Sequence, residues 1–104
     1  MRWAVNLYTT EKTEKMLPRI KHKLRRGKIQ PGIWLITIAS NEENLLDLFQ
    51  SVYYIQPMFA KMNPDIVGIA DSEDAAKNLL INMVEDMYTE TGAFDVRTYF
   101  KFQE

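Results

Sequence analysis

Four short segments of the chain carry the hydrophobic pattern of β-strands. Residues 3–8 alternate loosely, whereas residues 33–39 and 66–70 are almost continuously apolar and rich in β-branched side chains, as expected of strands covered on both faces. Residues 94–102 alternate strictly, with apolar side chains on one face and mostly charged ones on the other. Because a period of two with one polar face is typical of a half-exposed strand, we expect this last strand at an edge of the sheet.

The segments between these strands have the 3.6-residue spacing of amphipathic helices. The first covers residues 10–26, the second begins at Asn41 and continues to about residue 59, and the third begins at Ser72. Pro18 would lie inside the first helix, where a proline costs about 3 kcal/mol. The first helix therefore either runs from Thr10 or begins near Pro18, with residues 11–17 forming a loop or a separate turn. Because of Pro57, we expect the second helix to kink or end near Ile55 and to restart.

The predicted elements recur with a regular spacing. Val5, Ile36 and Val67 stand 31 residues apart. A gene duplication would produce this spacing, but so would any series of βα units of about 30 residues. Right-handed crossovers place the strands of such units side by side and parallel. The sequence therefore predicts one three-layer α/β domain over residues 1–104, in the order β-α-β-α-β-α-β, with a mostly parallel four-stranded sheet and the last strand at an edge.

Composition is typical of a folded protein from a reducing compartment. Hydrophobic residues make up 46% of the chain and cysteine is absent. Small secreted domains usually depend on disulfides, so the composition favours the cytoplasm, and it excludes a thiol nucleophile and a cysteine-ligated zinc. We expect no membrane span, because the sequence has no run of about 20 apolar residues. We also expect no signal peptide, because strand-like sequence follows Met1 with no basic region and apolar core of that kind.

Few residues suit catalysis. His22 is the single histidine of the chain, so neither a histidine-based triad nor a multi-histidine metal site can form within one copy. The turns after the predicted strands are acidic and lack glycine, which argues against a phosphate cradle. We therefore predict no catalytic residue, no metal and no cofactor, and we favour a non-enzymatic protein.

Polar side chains follow the second and third predicted strands. Ligands of open α/β sheets bind outside the carboxyl ends of the strands, so a small-ligand or metal-binding enzyme would use this rim. The alternative is helix capping, because short polar side chains accept hydrogen bonds from the free amides of a first turn. Capping is the stronger interpretation. The rim residues are Ser40, Asn41, Glu42, Asp71 and Ser72.

Charge is divided unevenly along the chain. Residues 1–30 carry nine basic and two acidic side chains, a net charge of +7, whereas the remainder carries −8. A cationic stripe on the first helix is suited to a polyanion or an acidic protein partner. The isoelectric point of 5.8 makes nucleic acid the less favoured ligand, and a solvated helix face is the simpler interpretation. The stripe consists of Lys15, Arg19, His22, Arg26 and Lys28.

The third predicted helix is apolar on a second side. Ile81, Val84 and Tyr88 follow one another there at helical spacing, and Tyr54 points away from the core face of the second helix. Either a neighbouring helix of the same copy covers these residues or they form an interface, as contiguous exposed apolar surface usually does. Our leading prediction is a small cytoplasmic interaction domain that self-associates, most simply as a two-fold homodimer.

Overall fold

The computed structural model describes residues 1–39, 41, 43–55 and 63–103. These residues form a small α/β domain with a four-stranded sheet. Its elements, in chain order, are β1 (Arg2–Thr9), α1 (Glu11–Lys15), α2 (Leu17–Arg25), β2 (Trp34–Ile38), β3 (Leu46–Gln50), a 3₁₀-helix (Ser51–Ile55), β4 (Asp65–Ala70), α3 (Glu73–Thr91) and α4 (Val96–Tyr99).

The sheet is mixed, so the prediction of a mostly parallel sheet is wrong. Its strand order is β1-β4-β2-β3. β1 and β4 are parallel, whereas β2 is antiparallel to both β4 and β3. The reason is the hairpin formed by β2 and β3, because neighbouring antiparallel strands need only a short connection and no helical crossover.

The second predicted helix is wrong over residues 46–50, which form a strand, whereas residues 51–55 form a 3₁₀-helix. Its first half forms β3, which places Phe49 opposite Leu35 and Leu48 opposite Ile36. Apolar residues at 45, 48, 49 and 52 satisfy a helical period, but those at 46 and 48 also satisfy a strand period. Short apolar runs are ambiguous in this way, and the open edge of β2 favours the strand. The predicted kink at Pro57 lies outside the described residues.

The last predicted strand is also wrong over most of its length. Asp95 caps α4, because its Oδ1 accepts a hydrogen bond from Thr98 N at 3.3 Å and its Oδ2 accepts one from Thr98 Oγ1 at 2.6 Å. Residues 101–103 then run beside β1, where Val5 N donates to the Lys101 carbonyl at 2.6 Å and Ala4 pairs with Phe102 in an antiparallel bridge. Only the end of the predicted strand therefore lies at an edge of the sheet.

The other helix boundaries follow the sequence signals. The first helical segment breaks at Met16, and Pro18 lies in the first turn of α2. Backbone N–H groups in a first turn have no acceptor within the helix, so a proline there removes no hydrogen bond. Of the two arrangements that the sequence leaves open, the structure has the one with a separate helical turn before Pro18. α3 begins after its N-cap Ser72 and ends at Gly92, whose φ of 73° is left-handed, as helix C-termini commonly require.

Two hydrophobic clusters make up the core. One joins β2 and β4 with α3 and the C-terminal segment, and the other joins the same strands with α2. Leu35 and Ile36, like Ile66 and Val67, belong to different clusters, as the alternation of side chains along a strand requires. The alternation is interrupted in β4, where its pairing with β2 shifts register, so Val67 and Ile69 also belong to different clusters. The first cluster includes Ile36, Val67, Met83, Met87, Val96 and Phe100, and the second includes Trp3, Ile20, Leu24, Leu35, Ile66 and Ile69.

Candidate functional site

The parallel strands β1 and β4 end side by side, with Thr9 paired to Ile69. The helices that follow these two strands pack into different clusters, since α2 contributes Ile20 to one and α3 contributes Met83 to the other. In open α/β sheets, ligands bind in a crevice outside the carboxyl ends of the strands, where the connections diverge. The carboxyl ends of β1 and β4 are therefore the first candidate for a ligand site.

Three polar side chains link α1 to the end of β4. Thr10 caps α1, and its Oγ1 donates to Asp71 Oδ1 at 2.9 Å. Thr13 is completely buried, and its hydroxyl donates to the Ile69 carbonyl at 3.0 Å. These hydrogen bonds fix the position of the half-buried Asp71 carboxylate beside the carboxyl ends of β1 and β4.

A pocket of about 330 Å³ lies beside these residues, between α1, α2 and residues 29–33, which lead into β2. Its volume falls at the lower end of the ~300–1,000 Å³ that small-molecule sites occupy. Charged side chains and an apolar wall both contribute to the lining. They include Lys12, Lys23 and Asp71 on the polar side and Met16, Ile20, Ile29 and Ile33 on the apolar side.

Gln30 holds one wall of the pocket in place. Its side chain is buried, and its Nε2 donates to the Ile20 carbonyl at 3.2 Å. Its own carbonyl accepts a hydrogen bond from Ser51 Oγ at 3.0 Å. These bonds join the wall to α2 and to the 3₁₀-helix and so fix its position.

Of the residues that line this pocket, sequence reasoning singled out Asp71 as a ligand-binding candidate and did not single out the others. The Thr10-x-x-Thr13 spacing is a capping signal that identifies Thr13 as a structural residue. Lys12 and Lys23 carry no such signal, because a lysine beside a pocket and a solvated lysine look alike in a sequence. Their grouping depends on where residues 29–33 return to the sheet.

The structure does not bring the predicted polar rim together. Asp71 and Ser72 follow the carboxyl end of β4. Asn41 follows β2, which is antiparallel to β4, and so lies at the opposite end of the strands. Ser72 Oγ accepts a hydrogen bond from Ala75 N at 3.0 Å, which is a capping role. Asn41 Oδ1 accepts hydrogen bonds from the amides of residues 43 and 44 and so stabilises a turn. Ser40 and Glu42 lie outside the described residues.

The cationic stripe is exposed on α1, α2 and the turn that follows. Within the described part of the chain, Lys15 is its one member with an ion pair, at 3.4 Å from Glu11, and α2 contains no acidic residue. Binding of a polyanion or an acidic protein to this stripe stays a prediction. Its other members, all exposed, are Arg19, His22, Arg26 and Lys28.

The second apolar side of α3 faces solvent in the described structure. Ile81 and Tyr88 are 52% and 56% exposed, and Val84 is half-buried between them. The Tyr88 ring stacks on that of Phe94, with centroids 5.2 Å apart, and Phe94 is itself 46% exposed. We call Ile81, Val84, Tyr88 and Phe94 the α3 apolar surface. The Tyr54 side chain lies outside the described residues.

A cluster of two tyrosines and a carboxylate joins β1, α3 and α4. Tyr8 Oη donates to Asp86 Oδ2 at 2.6 Å and lies 2.7 Å from Tyr99 Oη. Burial, followed by the hydrogen bonds with Asp86 and Tyr99, raises the pKa of Tyr8 well above its usual value. The Tyr8 hydroxyl is therefore a donor at neutral pH and is unsuited to act as a base.

Replacing Tyr8 by phenylalanine should change the alkaline stability of the protein. Because the folded pKa of Tyr8 lies above the unfolded value of about 10, its contribution to stability is present below pH ~10 and is lost as the pH rises further. We expect the free energy of unfolding of Tyr8→Phe to be about 1 kcal/mol lower at neutral pH, through the lost hydrogen bond. The difference from wild type should shrink above pH ~10.

Urea denaturation between neutral pH and the alkaline limit of folding measures this difference. Tyr88→Phe is the matched control, since it removes a hydroxyl from an exposed tyrosine. A constant difference between Tyr8→Phe and wild type across the alkaline range would contradict the assignment.

Comparison with known proteins finds no matching family model, no matching curated protein and no matching solved structure. In the part of the chain that the structure describes, no helix is long and apolar enough to cross a membrane. The same residues contain no group of three or more side chains placed to hold a metal ion. Function must therefore be argued from the surfaces and the pocket.

Proposed function

We propose that this protein is a small interaction domain that forms a two-fold homodimer through α3. The observation that carries the proposal is the α3 apolar surface, which presents an aliphatic and an aromatic side chain, each more than half exposed, on a well-formed helix of 19 residues. Contiguous apolar surface of this kind usually marks an interface. Aromatic side chains are also enriched at interface cores.

The charges that flank this surface suit a second copy of the same chain. Lys77, Ile81 and Glu85 follow one another at i, i+4 spacing, and such rows run parallel to each other in the commonest class of helix crossing. In an antiparallel pair with its two-fold axis at Ile81, each Lys77 lies against Glu85 of the other copy. Exposed pairs of this type contribute less than about 1 kcal/mol each, so they select the register while the apolar residues supply the affinity.

The ion pair that Lys77 makes within its own helix is weak enough to be exchanged for this contact. Its ammonium lies 3.1 Å from Glu73 Oε1 within the same helix. Both side chains are more than half exposed, and an i, i+4 pair on a helix surface contributes only about 0.3–0.5 kcal/mol. Exchange of this partner for Glu85 of a second copy therefore has little cost.

Reversing the charges tests the proposed register. Lys77→Glu and Glu85→Lys should each weaken the dimer about tenfold, because each replaces two attractive contacts by two repulsive ones. The double variant should regain wild-type affinity within about twofold, since the same pairs form with their signs exchanged. Molar mass by light scattering over a concentration series gives the dissociation constants. Additive losses in the double variant would contradict the register.

Removing the apolar contact tests the proposed surface itself. The double substitution Ile81→Glu and Tyr88→Glu should give a monomer, whereas Asn82→Glu, at an exposed position beside the surface on the same helix, should leave the dimer intact. Far-ultraviolet circular dichroism confirms that each variant is folded. A monomeric wild type, or a dimer that survives the double substitution, would overturn the proposal.

The proposal includes an architecture and a location. We infer three layers, with α1 and α2 on one face of the sheet and α3 and α4 on the other, which is supported by the alternation of strand residues between the two clusters. We also infer that the domain functions as a single unit in the cytoplasm, which is supported by the lack of cysteine.

A further inference from the structure

We propose that the pocket between α1, α2 and residues 29–33 binds a small organic monoanion with an apolar body. The site is separate from the α3 apolar surface and does not depend on the proposed dimer. It lies at the edge where parallel strands β1 and β4 end, which is where open α/β sheets place their ligands.

The charges of the lining favour one negative charge on the ligand. Lys12 and Lys23 line the pocket together with one carboxylate, Asp71. The described ion pairs involve neither lysine, and Asp71 Oδ1 already accepts the Thr10 hydroxyl. A monoanion therefore brings the lining to neutrality and gives the ammonium groups a partner, whereas an uncharged ligand would desolvate them without compensation.

The apolar part of the lining favours a hydrocarbon or aromatic body. Met16, Ile20 and Ile33 form part of the wall. Ile29 also lines the pocket although it is 61% exposed, so a ligand seated there removes much of that apolar surface from water. Burial of apolar area contributes about 25 cal/mol per Å², which makes an apolar body the main source of affinity.

The pocket is also rigid on two sides. The hydrogen bonds of Gln30 hold residues 29–33 against α2, and those of Thr10 and Thr13 hold α1 against β4. A site that is formed before binding avoids the cost of ordering its walls. This favours a small ligand over a flexible segment of another protein.

A pair of fluorescent probes tests both halves of the proposal. Anilinonaphthalene sulfonate carries one negative charge, and N-phenyl-naphthylamine has the same aromatic rings without it. We expect the sulfonate to bind wild-type protein at one site and at least about tenfold more tightly than the amine, because the sulfonate accepts a charged hydrogen bond from a lysine and the amine has no group that replaces it. Equal affinity for the two probes, or no binding of the sulfonate, would overturn the proposal.

Variants assign the bound probe to the pocket. Lys12→Met and Lys23→Met should each weaken sulfonate binding about tenfold and leave amine binding within about twofold. Lys28→Met, at an exposed lysine outside the lining, should change neither. The double variant Ile81→Glu, Tyr88→Glu should retain sulfonate binding; its loss there would assign the probe to the α3 apolar surface and would overturn the proposal.

A measurement on the unaltered protein makes the test independent of any substitution. Amide chemical shifts of ¹⁵N-labelled protein should move on addition of octanoate, with the changes concentrated in residues 12–23 and 29–33. Octanol at the same concentration should produce much smaller changes. Shifts centred on α3, or equal shifts with the two compounds, would contradict binding of an organic anion in this pocket.

Discussion

Replacing Phe100 by alanine is expected to lower the free energy of unfolding by about 3–5 kcal/mol, the usual cost of removing a buried phenylalanine. Phe100 is 1% exposed. Its ring packs edge-on against those of Tyr8 and Tyr99, with centroids 6.0 Å and 4.9 Å away. The substitution leaves a cavity beside β1, and the first hydrophobic cluster loses one of its largest fully buried side chains.

Two other phenylalanines in the same run of sequence are the matched controls. Phe94→Ala should cost less than about 1 kcal/mol, because the residue is already 46% exposed and the aromatic contact that it loses is its stacking with Tyr88. Phe102→Ala should cost about 1–2 kcal/mol, since Phe102 is half-buried and Arg2 lies 4.8 Å above its ring. Urea denaturation measures all three losses.

The comparison separates the observed fold from the strand that alternation predicts. A strand with all three rings on one core face would give three similar losses, because each ring would be buried to a similar extent. The structure instead requires one large loss at Phe100 and a small one at Phe94. Equal losses would therefore contradict the helical turn at residues 96–99 as well as the burial of Phe100.

The elements that were predicted correctly are those whose local signals agree with each other. β2 and β4 are mostly apolar and rich in β-branched side chains, and both lie in the middle of the sheet. α3 has a helical period, an N-cap at Ser72 and a left-handed Gly92 at its end. In these segments propensity, periodicity and capping all favour one structure, so tertiary contacts have nothing to override.

The errors occur where two local signals compete. Residues 46–50 fit either period, and the choice depends on pairing with β2, which the periodicity of this segment alone does not show. At residues 94–102, alternation predicts a strand, but the Asp95–Thr98 hydrogen bonds stabilise a helical turn instead. Val5 is exposed, although the 31-residue spacing places it at the position equivalent to the buried Ile36 and Val67. The reason is that the pairing of β1 with β4 is irregular around Val5.

The candidate sites differ in how far the sequence could predict them. The α3 apolar surface follows from helical periodicity alone, because α3 is regular from Glu73 to Thr91. The polar rim required the strands to be parallel, and the reversed direction of β2 separates Asn41 from Asp71. The pocket required knowledge of where residues 29–33 lie, which no local pattern supplies. Surfaces on one element are thus predictable here, whereas sites between elements depend on topology.

Replacing Gly68 by valine is expected to cost about 3 kcal/mol, the upper part of the usual range for overpacking a core. Gly68 lies in β4, and a Cβ at this position would stand 2.5 Å from Met83 Cε and 3.3 Å from Ile36 Cβ. The Met83 methyl can rotate away, since methionine is flexible. The Ile36 Cβ cannot, because it is fixed by the backbone of the central strand β2. Gly68→Ala should therefore cost about 1–2 kcal/mol, less than valine does.

A double-mutant cycle with Met83 assigns the cost to this contact. Met83→Ala alone should cost about 2–5 kcal/mol through the cavity that it leaves. In the combined variant the valine methyl groups occupy part of that cavity, so the total loss should be smaller than the sum of the two single losses by about 1–2 kcal/mol. Chemical denaturation of the four proteins measures the coupling. Additive losses would mean that Gly68 and Met83 are not in contact across the interface between β4 and α3.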